Sequence, residues 1–306
     1  MLPFILRRLG AVLPVLLAVS VLVFLMSHLT PGDPATIMLG ENASAAEVAR
    51  LRQELGLDRP LAVQYGRYLA NVLRGDLGRS IRSGRPVVRE IAERFPSTLE
   101  LTLAAMAVAA AGGVLLGALA AMSRGRVAEA FAMSASLIGI SMPSFWLGLL
   151  LILAFGLALR WFPIAGGNEW QALVLPAVTL GAQAAAVLAR LTRASLLEVL
   201  PSEFVRTARA KGASGARVLF RHALRNALIP VVTVMGVQFG TLLGGAVIVE
   251  SVFARSGLGR FAVTAVQARD FPVIQGIVLF AAAVYALVNL AVDVAYLVLD
   301  PRITYE

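Results

Sequence analysis

Few residues of this chain have the type and spacing that chemistry needs. A phosphate-cradling loop of the form G-x-x-x-x-G-K-[ST] needs a lysine after glycine. The only lysine of the 306 residues is Lys211, and Gly212 follows it, so the chain has no such loop of its own. The run Gly257 to Ala262, GLGRFA, fits the loose dinucleotide pattern, but it lies between apolar segments without a βαβ unit and reads as a tight outer turn. No G-x-S-x-G elbow and no H-E-x-x-H occur, His28 and His222 are far apart, and there is no cysteine. Catalytic residues and a metal site are therefore not expected in this chain.

The remaining polar candidates lie inside apolar runs. Asp293 is the one acid well inside such a run, with Asn289 one turn earlier on the same helical face. An ionised group at the bilayer centre costs about 2.5–3.5 kcal/mol on insertion scales, so Asp293 is either a pathway or proton-relay group or an interhelical contact. Ser141, Gln183 and Gln238, with Asn289 and Asp293, could line a polar translocation path or merely bond between helices. The pairs Gly113/Gly117 and Gly240/Gly244 have the spacing for close helix approach.

The elements that must position these groups follow from composition. The chain is 58% hydrophobic and 15% charged, where a soluble domain has about 25% charged residues. Its net charge of +9 could suggest nucleic acid, but the arginines lie between long apolar runs, so basic loops of a membrane protein are expected and nucleic acid is not. A span needs about 20 apolar residues. Segments near 9–29, 98–122, 131–159, 172–192, 227–250 and 273–299 qualify. The first is too long for a signal-peptide core and reads as a retained span. The expectation is an all-α polytopic protein with six transmembrane helices and both termini on one side.

Taking that side as cytoplasmic gives it 13 of the 27 basic and 5 of the 18 acidic residues. Ten of the remaining arginines fall in one long loop, where charge orients weakly, and the short loops favour the same topology. The chain then divides into a first span (1–30), an outer helical loop (31–97) and a core of five spans (98–306). Within the outer loop, Ser44 and Glu47 form a capping box before Val48, Leu51 and Leu55, stopped at Gly56. Pro60 opens a second helix ending near Gly75, Pro86 opens a third, and Ser97 with Glu100 repeats the cap at the start of the second span.

The stretch 203–226 joins two spans and holds six basic residues against Glu203. Two helical pieces flank GASG. The second would place Phe220, Ala223, Leu224 and Ala227 on one face and Arg217, Arg221 and Arg225 on the next. The first, near 204–211, lies across the membrane plane. It is either a helix on anionic headgroups or a small basic knob for a pocket in another protein.

Here the residues carry a resemblance. RTARAKG, then ASGARVLFR and HALRNALIP, resemble the EAA loop of ABC importer permeases in its dipeptide/oligopeptide form. Arg206, Thr207 and Ala208 take the E-A-A positions, Gly212 the glycine, and His222 to Arg225 the I-x-L-P positions, so Glu, the first Ala, Ile and Pro are replaced. PGDP, GDLGRS, SMPSFW, ESVFARSGLGRF and RDFPVIQG are also similar to that family, and the likeness covers nearly the whole chain. It implies a bacterial inner-membrane permease subunit for dipeptides or oligopeptides. It also implies a homologous second permease, one or two ATP-binding subunits holding ATP and Mg, and an extracytoplasmic binding protein. Nickel complexes, glutathione and sugars are the family's other cargoes, and a proton-coupled secondary transporter is the competing class. The resemblance makes the loop a coupling helix. Thr207, Ala208, Arg209, Ala210, Lys211, Gly212 and Ala213 would enter a groove of the ATPase, and Arg206, Arg209, Lys211 and Arg217 would meet its acidic rim.

Overall fold

The computed structural model describes residues 2–29, 34–39, 43–123, 125–166 and 169–299. Its helices are α1 (Leu2–Leu29), α2 (Pro34–Leu39), α3 (Ala45–Leu55), α4 (Leu61–Leu73), α5 (Val87–Met122), α6 (Val127–Ser141), α7 (Ser144–Leu151), α8 (Gln171–Val199), α9 (Glu203–Ala210), α10 (Gly215–Arg217), α11 (Leu224–Val252), α12 (Leu258–Gln267) and α13 (Phe271–Leu299). Wider π-helical turns continue α7 over Ile152–Ala158 and precede α11 over Val218–Ala223. Among the described residues the sole β pairing is a bridge between Arg79 and Pro86. Among the described residues five helical segments are long and apolar enough to cross a membrane, and α6 with α7 makes a sixth span if that bent pair is one. The all-α polytopic expectation is met.

The third segment, long enough to tilt or to end in an interfacial turn, is instead bent in its interior: α6 and α7 meet at a bend of 111°. The cause is local. Pro143 sits where α7 begins, and a residue before proline is driven out of helical geometry; Met142 has φ −81° and ψ 127°.

The chain forms two compact units: residues 1–96 with 260–290, and residues 97–259 with 291–306. The described part of the outer loop up to Pro96 thus folds together with α1 and with part of α12 and α13. In this first unit the expected capping box forms: the Ser44 hydroxyl accepts from the Glu47 amide, and the Glu47 carboxylate accepts from the Ser44 amide at 2.9 Å. Gly56 closes α3 in the left-handed region. Tyr65 of α4 bonds Ser20 of α1 at 2.8 Å, and Phe24 stacks against Tyr65 and Tyr68. The GDLGRS and RDFPVIQG motifs, far apart in sequence, meet. The buried carboxylate of Asp270 accepts from the Ser80 hydroxyl at 2.6 Å and from the amides of Ile81 and Arg82.

Ser97 does not start a helix. α5 starts at Val87 and runs unbroken through Pro96, because Pro86 offers its carbonyl to the amides of Arg89 and Glu90 and so opens the helix well before Ser97 would. Ser97 and Glu100 instead bind the Arg255 guanidinium.

In the second unit α5, α8 and α11 share one core, built from Leu101, Ala105, Leu180, Leu188, Leu242 and Phe253 among others. Between apolar helices in lipid, close packing rather than water exclusion supplies the attraction. Gly113 and Gly117 serve it as expected: a Cβ at Gly117 would lie 2.5 Å from the Ala189 carbonyl. Gly244 does not, since nothing lies within 4 Å of where its Cβ would be.

Candidate functional site: a seated basic helix

Helix α9 follows α8 after a turn at Leu200–Ser202. The Ser202 carbonyl accepts from the amides of Val205 and Arg206 and so fixes the start of the helix. Val205, with no exposed surface, and Ala208 form its inner face. They pack with Ala118 and Ala121 of α5, Leu196 of α8, and Val218, Leu219 and Ala223 of the π-helical turn. The helix is therefore seated on its own chain by one narrow stripe. Its end is a Schellman motif. The Gly212 amide bonds the Arg209 carbonyl at 2.9 Å, and the Ala213 amide bonds the Ala208 carbonyl at 3.2 Å. That motif needs a left-handed residue, and Gly212 has φ +80°.

The outer face carries Phe204, Arg206, Thr207, Arg209, Ala210, Lys211 and Gly212, all exposed, and Arg217 is exposed beyond them. Of the residues assigned to this loop, Ala208 is turned inward and Ala213 is half-buried beside it. The other assigned residues are exposed in this conformation. Arg206 pairs with Glu203 at 2.9 Å on the surface, an arrangement worth about 0–1 kcal/mol. Arg209, Lys211, Arg217, Arg221 and Arg225 have no carboxylate partner among the described residues. Glu129 of α6 pairs with Arg193 of α8 through Nε at 2.9 Å, so the acid in this loop region is engaged in bracing α6 to α8.

The face expected for the second helical piece is corrected. Phe220 is 64% exposed, while Val218, Leu219, Ala223 and Ala227 are buried. The π-helical turn over Val218–Ala223 is wider than an α-turn and rotates Phe220 off the inner face, a shift that 3.6-residue periodicity does not foresee.

Of the path candidates, the structure brings Ser141 and Gln183 to one place. Ser141 ends α6, and the exposed Gln183 of α8 donates to the Met142 carbonyl at 3.2 Å. Gln238 is half-buried on α11, and Asn289 and Asp293 are half-buried one turn apart on α13.

Sequence reasoning missed Glu250. It lies in the last turn of α11 with no exposed surface. Its carboxylate accepts from the Thr98 hydroxyl at 2.6 Å and from the Gly259 amide at 2.8 Å, and Thr98 accepts from the Leu258 amide at 2.8 Å. A Cβ on Gly257 would fall 2.1 Å from the carboxylate. GLGRFA is thus the start of α12 clasped by a buried acid, and not only a turn. The legible signal was an acid closing an apolar run with G-x-G a few residues on.

A polytopic helical core with a basic helix seated between two spans has the build of a membrane-embedded protein. Two comparisons of sequence and one of structure say which. Residues 113–305 match the binding-protein-dependent transport system inner membrane component, and residues 1–102 match the N-terminal part of the membrane component of such systems. The chain belongs to this family: it is a multi-pass inner-membrane permease subunit of an ABC importer and is not itself an enzyme. It is 50% identical to the glutathione transport system permease protein GsiC of Salmonella paratyphi A over 306 residues, the whole of both chains. It is 48% identical to GsiC of Escherichia coli K12 over the same span. Among solved structures, the inward-facing MetNI methionine ABC transporter aligns with a TM-score of 0.58 at 21% identity, over 69% of this chain and 96% of that one, which speaks to the fold.

Proposed function

We propose that the chain forms half of the translocation route of an ATP-driven importer of short peptides, with glutathione as the first substrate to test. The earlier dipeptide or oligopeptide expectation is narrowed by the full-length likeness to glutathione permeases. In this reading a homologous permease completes the route, an extracytoplasmic binding protein delivers the cargo, and one or two partner ATPases hold ATP and Mg. Both termini and α9 face the cytoplasm.

The observation that carries the mechanism is the seat of α9. A helix held by Val205 and Ala208 to the ends of α5, α8 and α11 moves as one body with those spans. Arg209, Lys211 and Arg217, which have no carboxylate partner among the described residues, fit an acidic groove. Closing of the ATPases on ATP would displace α9, and through Leu196, Val218 and Leu219 the displacement reaches α8 and α11 directly. The test is uptake by the complete complex in proteoliposomes, with labelled glutathione and a labelled dipeptide compared. Glutathione uptake that requires ATP and this chain is expected. Uptake without ATP, or by this chain alone, would overturn the reading.

A further inference from the structure

We infer that the elbow of the broken span, Ser141 to Ser144 with Gln183, is a substrate-contacting station that offers neutral hydrogen-bonding groups to the amide groups of a passing peptide. This rests on the permease reading above.

Depth comes first. Gln183 is the 13th residue of the 29-residue α8. At 1.5 Å per residue it lies about 18 Å from one end of that helix and about 24 Å from the other, near the middle of the span. Its hydrogen bond to the Met142 carbonyl places the elbow at the same depth. Neither arm crosses alone: α6 has 15 residues, about 22 Å, against about 30 Å of hydrocarbon.

Backbone that leaves helical geometry at that depth is tolerated where protein covers it or where it lines a water-filled cavity. Among the described residues the elbow is only partly covered, with Met142 and Ser144 half-buried. Ser141, Pro143 and Gln183 are exposed. Close packing nonetheless holds both arms on α8. A Cβ on Gly139 of α6 would meet the Ala182 carbonyl at 3.3 Å, and one on Gly148 of α7 would meet Thr179 at 3.3 Å and Phe253 at 3.2 Å. The bend is thus fixed in place, with its polar side facing away from the chain's own core.

The chemistry suits transit. Gln183 spends one N–H on Met142, which leaves a second donor and the carbonyl acceptor of its carboxamide. Ser141 adds a hydroxyl. Such groups match a peptide's amides and carboxyls without a fixed charge, and weak binding lets a solute leave as readily as it enters.

The absence of native cysteine makes the test direct. Ser141→Cys, Gln183→Cys and the apolar control Leu153→Cys are each introduced into the assembled complex in proteoliposomes. Each is treated with a charged, membrane-impermeant methanethiosulfonate, and the adduct on this chain is quantified by mass spectrometry. Leu153 is itself 58% exposed, so exposure alone does not separate the control. The Ser141→Cys and Gln183→Cys variants are expected to react about tenfold faster than the control, because the reagent's charge excludes it from lipid. S-methylglutathione, a thiol-free peptide, is expected to slow them and not the control. Reaction no faster than at position 153, as when lipid or the second permease covers the elbow, overturns the station, and so does fast reaction that the peptide leaves unchanged. Failure of ATP-dependent uptake by the complex carrying the unsubstituted chain, with Ser141→Cys and Gln183→Cys still fast and protected, sinks the transport reading instead.

Discussion

The two ends of α11 hold their charges in opposite ways. Toward Leu224 the chain presents Arg209, Lys211, Arg217, Arg221 and Arg225, which find no carboxylate among the described residues, on and after a helix seated by Val205 and Ala208. Toward Val252, about 40 Å along the helix axis, Glu250 is wholly buried and accepts hydrogen bonds from α5 and from the start of α12. A buried charge without partners costs several kcal/mol, so the far end had to satisfy Glu250 within the chain. Exposed cations carry little such cost and can be left for another molecule. The difference separates architecture from the proposed docking: the clasp joins this chain's own elements, and α9 leaves its cations exposed for the partner proposed above.

The largest effect is expected at the clasp. Glu250→Ala strands the Thr98 hydroxyl and the Gly259 amide in a buried site, at about 1–3 kcal/mol for each lost partner. The purified complex should melt markedly earlier, and Glu250→Gln, which keeps one acceptor oxygen, should restore part of the loss. An unchanged melting temperature for Glu250→Ala would show that the clasp is not what joins these elements.

At the other end the prediction reverses: assembly survives and coupling fails. Gly212→Val forces a β-branched residue into the left-handed region, at about 1–2 kcal/mol. Nothing lies within 4 Å of the added Cβ, so the effect is on the backbone alone. Loss of the Schellman turn should frees the end of α9 from its register, lowering ATP-dependent uptake about tenfold if the whole of that cost falls on the docked state. Melting should match the parent protein. Gly215→Ala, also with open space around it but with no positive φ, is the control and should transport normally. Equal uptake by the two variants would remove Gly212 from the coupling role.

The same contrast explains what could be read from the residues. Local rules written in a few neighbouring side chains came through: the Ser44–Glu47 box, the stop at Gly56, the start of α4 after Pro60, and the glycine that ends α9. The close approach at Gly113 and Gly117 also came through, because spacing on one helix carries it. Features set by distant partners did not. Glu250 looks like an ordinary helix-end acid until Thr98 and Gly259 arrive beside it. Phe220 looks inward at 3.6 residues per turn and is turned outward by a π-helical turn. The bend at Met142–Pro143 was signalled by its proline, but apolar content alone read straight through it. Ser97 and Glu100 have a cap's spacing, yet Arg255 uses both.

The smallest effect belongs to a third kind of charge, exposed yet paired, at the start of α3. Two hydrogen bonds from Ser44, hydroxyl first and amide second, hold the Glu47 carboxyl below its ordinary value of 4.5. A carboxyl whose folded value is depressed supports the fold above 4.5 and loses that support as pH falls through the lower folded value. Ser44→Ala removes the hydroxyl bond and the cap on the Glu47 amide, costing about 1 kcal/mol of local stability. Hydrogen exchange of the first α3 amides should therefore be faster in the variant at neutral pH. The gap between variant and parent should narrow as the solution is acidified through the carboxylate range, since protonation withdraws the same bond from the parent. A gap that stays constant with pH would mean that the hydroxyl caps the helix without help from Glu47. In that case even this surface pair would resemble the buried clasp less than its geometry suggests.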